Sequence, residues 1–450
     1  MPLQRLALPW RPPAELARAL AQRWGHEGLI WLDGDGSALG RWATLAADPL
    51  EQHCCRGLPG QAGAADPFVA LAGLGPGHWC GWLSYEAGAW VEPAGHWRSD
   101  AMAQLWIARH DPVLRCDLQQ QQLWLEGCDP LRMREWGDWL AELPPWPPPE
   151  GEAKPAASAA STPSGIPPSA WAWHSSSTAF AAGVRRIRDW IACGDLFQAN
   201  LTACCSAELP PAFGGTAAAL PLFERLHQHC PAPFAGLVVA SGDAGGEAVI
   251  SASPERFLQV DGRGLVETRP IKGTRPRHSD PERDADLAAE LVCSAKDRAE
   301  NVMIVDLLRN DLGRVCEPGS IQVPQLVGLE SYVNVHHLTS VVTGQLRPTC
   351  NWVDLLRACW PGGSISGAPK LRACQRLAEL EPVARGPYCG SLLRRDWDGS
   401  FDSSILIRSL LLQGRQLRCH GGCGIVADSD PRLEAAELGW KLNPLLEALA

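Results

Sequence analysis

The stretch TRPIKGTRPR, residues 268–277, sets Lys272 among three arginines. The whole chain carries 35 arginines and five lysines, at positions 154, 272, 296, 370 and 441. Arginine stays charged in a protein and cannot attack an electrophile, whereas lysine can once its surroundings favour the neutral amine. A lone lysine is more often a surface or anion-binding cation, so Lys272 needs company before chemistry is assigned to it. Four of the five lysines follow residue 170, each inside a dense motif: RPIKGT, SAKDRAEN, SGAPKLRA and ELGWK. An arginine-biased chain that places its few lysines this way points to a functional cluster.

Acids supply the second component. In DSDPRLEAAELGWKL, residues 428–442, Ser429 or Asp430 can cap a helix whose first position is Pro431. Glu434, Glu437 and Lys441 then fall at i, i+3 and i+7, on one face. Such a stripe is commonly solvated, but here the glycine-rich run HGGCGIVADS precedes it, where backbone can approach a ligand closely. Glu300, in AKDRAENVMIVDL, sits at the polar-to-apolar transition of another helix. If the two helices meet, Glu300, Glu434 and Glu437 offer hard oxygen ligands suited to Mg2+. PGGSISGAPK (361–370) has the wrong spacing for a phosphate loop; a turn presenting backbone N–H groups and Ser364 to a carboxylate fits it better. YVNVHHLTSVVTG sets two histidines side by side in a strand, predicting one facing in and one out.

The elements that must position these groups divide at LPPWPPPEGEAKPAASAASTPSGIPPSA, residues 143–170, whose Pro, Ala and Ser content reads as a linker or long loop. Before it, residues 1–142 read as a β-rich flanking domain, with a helix over 12–25 and strands in LIWLDG, CGWLSYE, AQLWIARHDPVLRCD and QQLWLEG. After it, residues 171–450 form the domain that carries the motifs. TAFAAGVRRIRDWIACGD predicts a helix and FQANLTACCSAEL a strand. EAVISASPERFLQVDG and GLVETRPIKGTRP predict two strands joined by a turn at 261–264, and residues 280–315 one or two helices. Hairpin-paired strands with helices between them indicate an α+β fold.

Composition narrows the class. A net charge of −10 argues against nucleic acid and anionic membrane surfaces as partners, and no apolar run reaches the roughly 18 residues of a membrane span. Seventeen scattered cysteines with no C-x-x-C pair fit reduced thiols in a cytoplasm, and the N-terminal apolar stretch is too short before its prolines for a secretory signal.

Taken together, GDLFQANLT, SASPERFL, TRPIKGTRPR, KDRAENVMIVDLLRNDLGRV, VHHLTSVVTG, PGGSISGAPK, GPYCGSLL, ILIRSL and GGCGIVADSDPRLEAAELGWK resemble, in this order, the motifs of the chorismate-utilising enzymes over residues 173–445. The resemblance implies the anthranilate-synthase-like fold, large antiparallel sheets packed together with flanking helices. Members that add water to chorismate carry a lysine base where this chain has Gln198. Members that form anthranilate read P-I-A-G-T where this chain has Pro270 to Thr274 with Lys272 in the middle. The chain therefore looks like the branch that aminates chorismate at C4 on the route to p-aminobenzoate and folate, with the anthranilate-forming branch as the alternative.

By the same resemblance, Lys272 is the nucleophile and Glu255 the general acid, while Glu300, Glu434 and Glu437 hold Mg2+. Gln198, Thr274, His337, Ser364, Tyr388, Arg408, Gly422, Cys423, Gly424 and Lys441 match positions that bind the substrate. No glutaminase motif of the G-x-C-x-G kind is present, so a glutaminase subunit is the expected partner in a heterodimer. Related proteins carry a tryptophan site in the N-terminal domain, which LIWLDG matches loosely.

Overall fold

The computed structural model describes residues 2–146, 165–332 and 335–450. Its 22 strands form two sheets, and every pairing is antiparallel. The larger sheet runs Gln4–Leu8, Gln122–Gly127, Val113–Asp117, Trp42–Ala46, Ile30–Asp33, Phe234–Val239, Glu247–Ser253, Ser409–Gln413, Gln416–Ile425, Gln198–Glu208 and Gly367–Ala368, with Ala172–Trp173 also on the Gln198–Glu208 strand. The smaller runs Ile271–Pro276, Val335–Gln345, Leu265–Thr268, Arg256–Val260, Phe401–Ile405, Ser391–Arg395, His78–Leu83, Leu105–His110 and Glu51–Cys55, with Gln322–Ser331 also on Val335–Gln345.

Side-chain alternation explains the layering. Ile30, Val238, Val249 and Leu411 of the larger sheet point into a core shared with Trp82, Phe257 and Leu392 of the smaller one. Their neighbours Trp31, Leu237, Ile250 and Leu410 point the other way, against the helices Pro13–Trp24, Pro130–Glu142, Ser177–Ala192, Ala219–His229 and Pro431–Ala448. Strands buried on both faces need apolar residues at consecutive positions, which is why these runs do not alternate with polar ones. On the smaller sheet, the helices Pro281–Cys293 and Ala295–Gly313 pack over Ile271–Pro276 and Val335–Gln345.

The α+β class holds, and three local expectations change. EAVISASPERFLQVDG is two strands on different sheets: the chain leaves Glu247–Ser253 of the larger sheet and enters Arg256–Val260 of the smaller one through Pro254 and Glu255. GLVETRPIKGTRP is likewise broken, at Arg269–Pro270, where proline has no N–H for a ladder. Both His336 and His337 are buried, because a helix covers the face expected to be open and His336 Nε2 meets Asp284 there at 3.0 Å. Each sheet joins one block of strands from 1–142 to one block from 171–450, so the expected boundary does not separate one sheet from the other. Of the 143–170 segment, residues 147–164 lie outside the described residues. At its end the Ile166 N–H donates to the Leu449 carbonyl at 2.6 Å, tying the chain to the C-terminal helix.

Candidate active site

Two chain crossings between the sheets build the middle of the site. Outbound, Pro254–Glu255 connects the sheets; inbound, residues 406–408 return from Phe401–Ile405 to Ser409–Gln413. The crossings are stitched together: Ile405 N–H donates to the Glu255 carbonyl, Ala252 N–H to the Arg408 carbonyl, each at 3.0 Å. Arg408 has φ +51°, a left-handed conformation that costs a side-chain-bearing residue of order 1 kcal/mol and aims its side chain off the strand path. Its guanidinium is held below its ordinary pKa by burial, and among the described residues no ion pair or hydrogen bond reaches it. A half-buried guanidinium without a counter-charge is suited to take up an anion.

Lys272 lies on the edge strand of the smaller sheet, and its Nζ donates to the Ser364 carbonyl at 3.1 Å. Glu255 lies in its field. Burial lifts the Glu255 carboxyl to about 7, while Lys272, the Ser364 hydroxyl and the Ile271 N–H pull against that rise. A carboxyl poised there can give or take a proton at neutral pH. Next along the sheet, the Thr274 hydroxyl and His337 Nδ1 are 2.9 Å apart. Burial first, then the neighbouring Arg408 charge, lower His337 to about 4, so the ring is neutral. Its buried Nε2 has no partner among the described residues.

The carboxylates come from two capped helices. Ser294 caps Ala295–Gly313, which carries Lys296 and Glu300 one turn apart. Asp430, not Ser429, caps Pro431–Ala448, accepting from the N–H groups of Arg432 and Leu433. Ser429 instead donates to Glu434 Oε1 at 2.6 Å. That same oxygen lies 3.0 Å from Lys296 Nζ. Glu437 is bridged to Lys441 at 2.7 Å, and Lys441 also donates to the Gly422 carbonyl at 2.9 Å. Oxygens of Glu434 and Glu437 and the Cys423 sulfur lie within 4.8 Å of one another. Glu300 joins them electrostatically: burial raises its pKa, and Lys272 and Lys296 counter the rise. A methyl group on Gly424 would stand 2.6 Å from Gln198 Nε2 and 3.4 Å from Glu300 Oε2, so the glycine lets these two side chains meet the strand.

The structure therefore brings Lys272, Glu255, Ser364, Glu300, Glu434 and Glu437 into one electrostatic cluster, with Gln198, Gly424, Thr274, His337 and Arg408 around it. The Cys423 side chain packs against the C-terminal helix, its Sγ 3.5 Å from the Glu434 carbonyl, which leaves the backbone of Gly422–Gly424 as the part offered to a substrate. Tyr388 is buried and stacked on His420 at 4.9 Å, with no hydrogen bond to the others among the described residues. Lys370 is structural, paired with buried Asp311 at 2.6 Å. Lys296 and Ser429 were not singled out from sequence, although Lys296 belongs to a lysine motif and sits one helical turn before Glu300.

This arrangement is that of a known class. A model of the family described as chorismate binding enzyme matches residues 24–447, and the chain belongs to that family. Among curated relatives, it is 38% identical over 418 residues to the aminodeoxychorismate synthase component 1 of Klebsiella aerogenes, covering 90% of this chain and 84% of that one. It is 44% identical over 280 residues to the Salmonella typhimurium protein of the same name, covering 62% of this chain and 59% of that one. Anthranilate synthase component I from Streptococcus pneumoniae has the same fold, with a TM-score of 0.74 at 27% identity over 90% of this chain and 92% of that one. No helix among the described residues is long and apolar enough to cross a membrane.

Proposed function

We propose that the chain converts chorismate and ammonia to 4-amino-4-deoxychorismate through a covalent bond between Lys272 and the substrate. The observation that carries this reading is the Lys272 amine held 3.1 Å from the Ser364 carbonyl, in the field of a buried Glu255. Two of the relatives above are named aminodeoxychorismate synthase component 1, which supports the same substrate and product.

The steps follow from the groups in place. Arg408 takes a substrate carboxylate, since a half-buried guanidinium with no ion pair among the described residues gains from an anion. The Lys272 amine attacks C2, forming a C–N bond; the ring double bonds shift and the C4–O bond breaks. Glu255 gives the departing hydroxyl its proton, so that water leaves. Ammonia then bonds to C4, the double bonds shift back, and the C2–N bond to Lys272 breaks. Two displacements place nitrogen at C4, so covalent catalysis here sets position as well as rate.

Glu434 and Glu437 oxygens and the Cys423 sulfur lie within 4.8 Å of one another, and Glu300 stands in the field of the same charges; the three carboxylates would supply the hard oxygens that suit Mg2+, with Cys423 the one soft donor nearby. When bound there, Mg2+ supplies a carboxylate anchor and draws electron density from the substrate. In the same reading a glutaminase subunit delivers the ammonia, and p-aminobenzoate for folate lies downstream.

Product identity tests the reading. Purified chain, chorismate, Mg2+ and excess ammonium should give an amine that an added aminodeoxychorismate lyase converts to p-aminobenzoate. Lys272→Ala should lose that product roughly 10³-fold or more and, with ammonia free to attack C2, turn to the anthranilate series. Anthranilate from the unaltered chain, or a fully active Lys272→Ala, would overturn the role of Lys272.

A further inference from the structure

The carboxylates assigned to the metal are already held by ammonium groups. Lys296 Nζ lies 3.0 Å from Glu434 Oε1, on a carboxylate whose side chain is only 3% exposed. Lys296 is itself 41% exposed, on a flexible four-carbon stem one turn before Glu300 on the same helix, so it has solvent to swing into. Lys441 holds Glu437 in the same manner, but it is also fastened to the Gly422 carbonyl, which leaves Lys296 as the freer cation.

We propose that the Lys296 ammonium is a tethered counter-cation that pairs with Glu434 in the metal-free protein and must leave it when a divalent cation enters. This rests on the metal reading above and adds a regulatory element to it. Without any cation, Glu434 would be buried with an uncompensated charge, a strongly destabilising state. The lysine keeps the empty site folded, and in doing so it competes with the metal and weakens its binding.

The test measures binding, not turnover. Mg2+ titrated calorimetrically into Lys296→Met should bind at least about tenfold more tightly than into the unaltered chain, or about 1.4 kcal/mol. Lys296→Arg, which keeps the charge, should stay within a few-fold of it. The metal-free Met variant should melt at a lower temperature and recover more on adding Mg2+ than the unaltered chain does. Should the Met variant fold poorly, the unaltered chain labelled with 13Cε-lysine has only five lysine signals. The one lost in Lys296→Arg should shift on adding Mg2+. Equal or weaker Mg2+ binding by the Met variant, or a Lys296 signal unmoved by Mg2+, overturns the proposal and leaves the metal site standing. Absence of Mg2+ binding to every form, the unaltered chain included, overturns the metal site as well.

Discussion

Burial raises the Glu255 carboxyl from an ordinary 4.5 to about 7, against the pull of Lys272. That shift predicts two opposed pH effects. As a proton donor Glu255 works in its protonated form, so at constant free ammonia the rate should fall as pH rises through about 7. Glu255→Gln should lower the rate by about 10²–10⁴-fold and abolish that falling limb. Stability follows linkage: a carboxyl whose pKa is raised by folding favours the folded state below pH 4.5, and that contribution is lost as pH rises to about 7. Glu255→Gln, which cannot ionise, should therefore gain stability relative to the unaltered chain between pH 5 and pH 8. Denaturant unfolding at both pH values checks it, and a constant difference between the two proteins would refute the buried titration. Lysine scarcity drew attention to Lys272, and the resemblance of SASPERFL to a family motif pointed to Glu255. What was not legible is that they meet, because Glu255 reaches Lys272 only after the chain has changed sheets at Pro254.

At the scale of elements, the carboxylates proposed to hold the metal depend on how two helices begin. Asp430 satisfies the first N–H groups of Pro431–Ala448, and its negative charge suits the positive end of the helix. This frees Ser429 to hold Glu434 at 2.6 Å. Asp430→Ala should cost about 0.5–2 kcal/mol of stability and weaken Mg2+ binding, because the fraying first turn carries Glu434. Thermal unfolding and calorimetric titration check the two effects, and a stability loss with unchanged Mg2+ affinity would separate the cap from the metal site. Helices and their caps were readable because their signals are local: a capping residue, a proline at the first position, a 3.6-residue period. The buried face of His336 was not, since alternation along Val335–Gln345 says nothing about Pro281–Cys293 lying over the other side. The partner of Lys296 was hidden for the same reason: it is Glu434, 138 residues further along the chain.

At the scale of the whole molecule, both sheets draw strands from each side of the proline-rich break in the sequence. Phe234–Val239, in the middle of the larger sheet, takes its ladder on one side from Ile30–Asp33. Ser391–Arg395 in the smaller sheet pairs with His78–Leu83. Charge pairs repeat the pattern, with Arg418 on Asp100 at 2.6 Å and Glu247 on Arg56 at 2.5 Å. Residues 165–450 alone would therefore expose two unpaired strand edges and half of the inter-sheet core, a state that aggregates rather than folds. The intact chain should give one cooperative calorimetric transition, with 165–450 giving none when expressed alone. Co-expressed with residues 1–146, it should recover both the transition and chorismate-dependent activity, because the two pieces together carry every described strand of both sheets. Two well-separated transitions in the intact chain, or an independently melting 165–450 fragment, would show that the sheets tolerate division where the sequence places it. The catalytic cluster would then be the property of one half. If the fragment fails as expected, the reason lies in the larger sheet. Glu247–Ser253, the strand that leads into Glu255, is then aligned only when Ile30–Asp33 braces its neighbour, so the motif-poor half helps to hold the acid beside the amine.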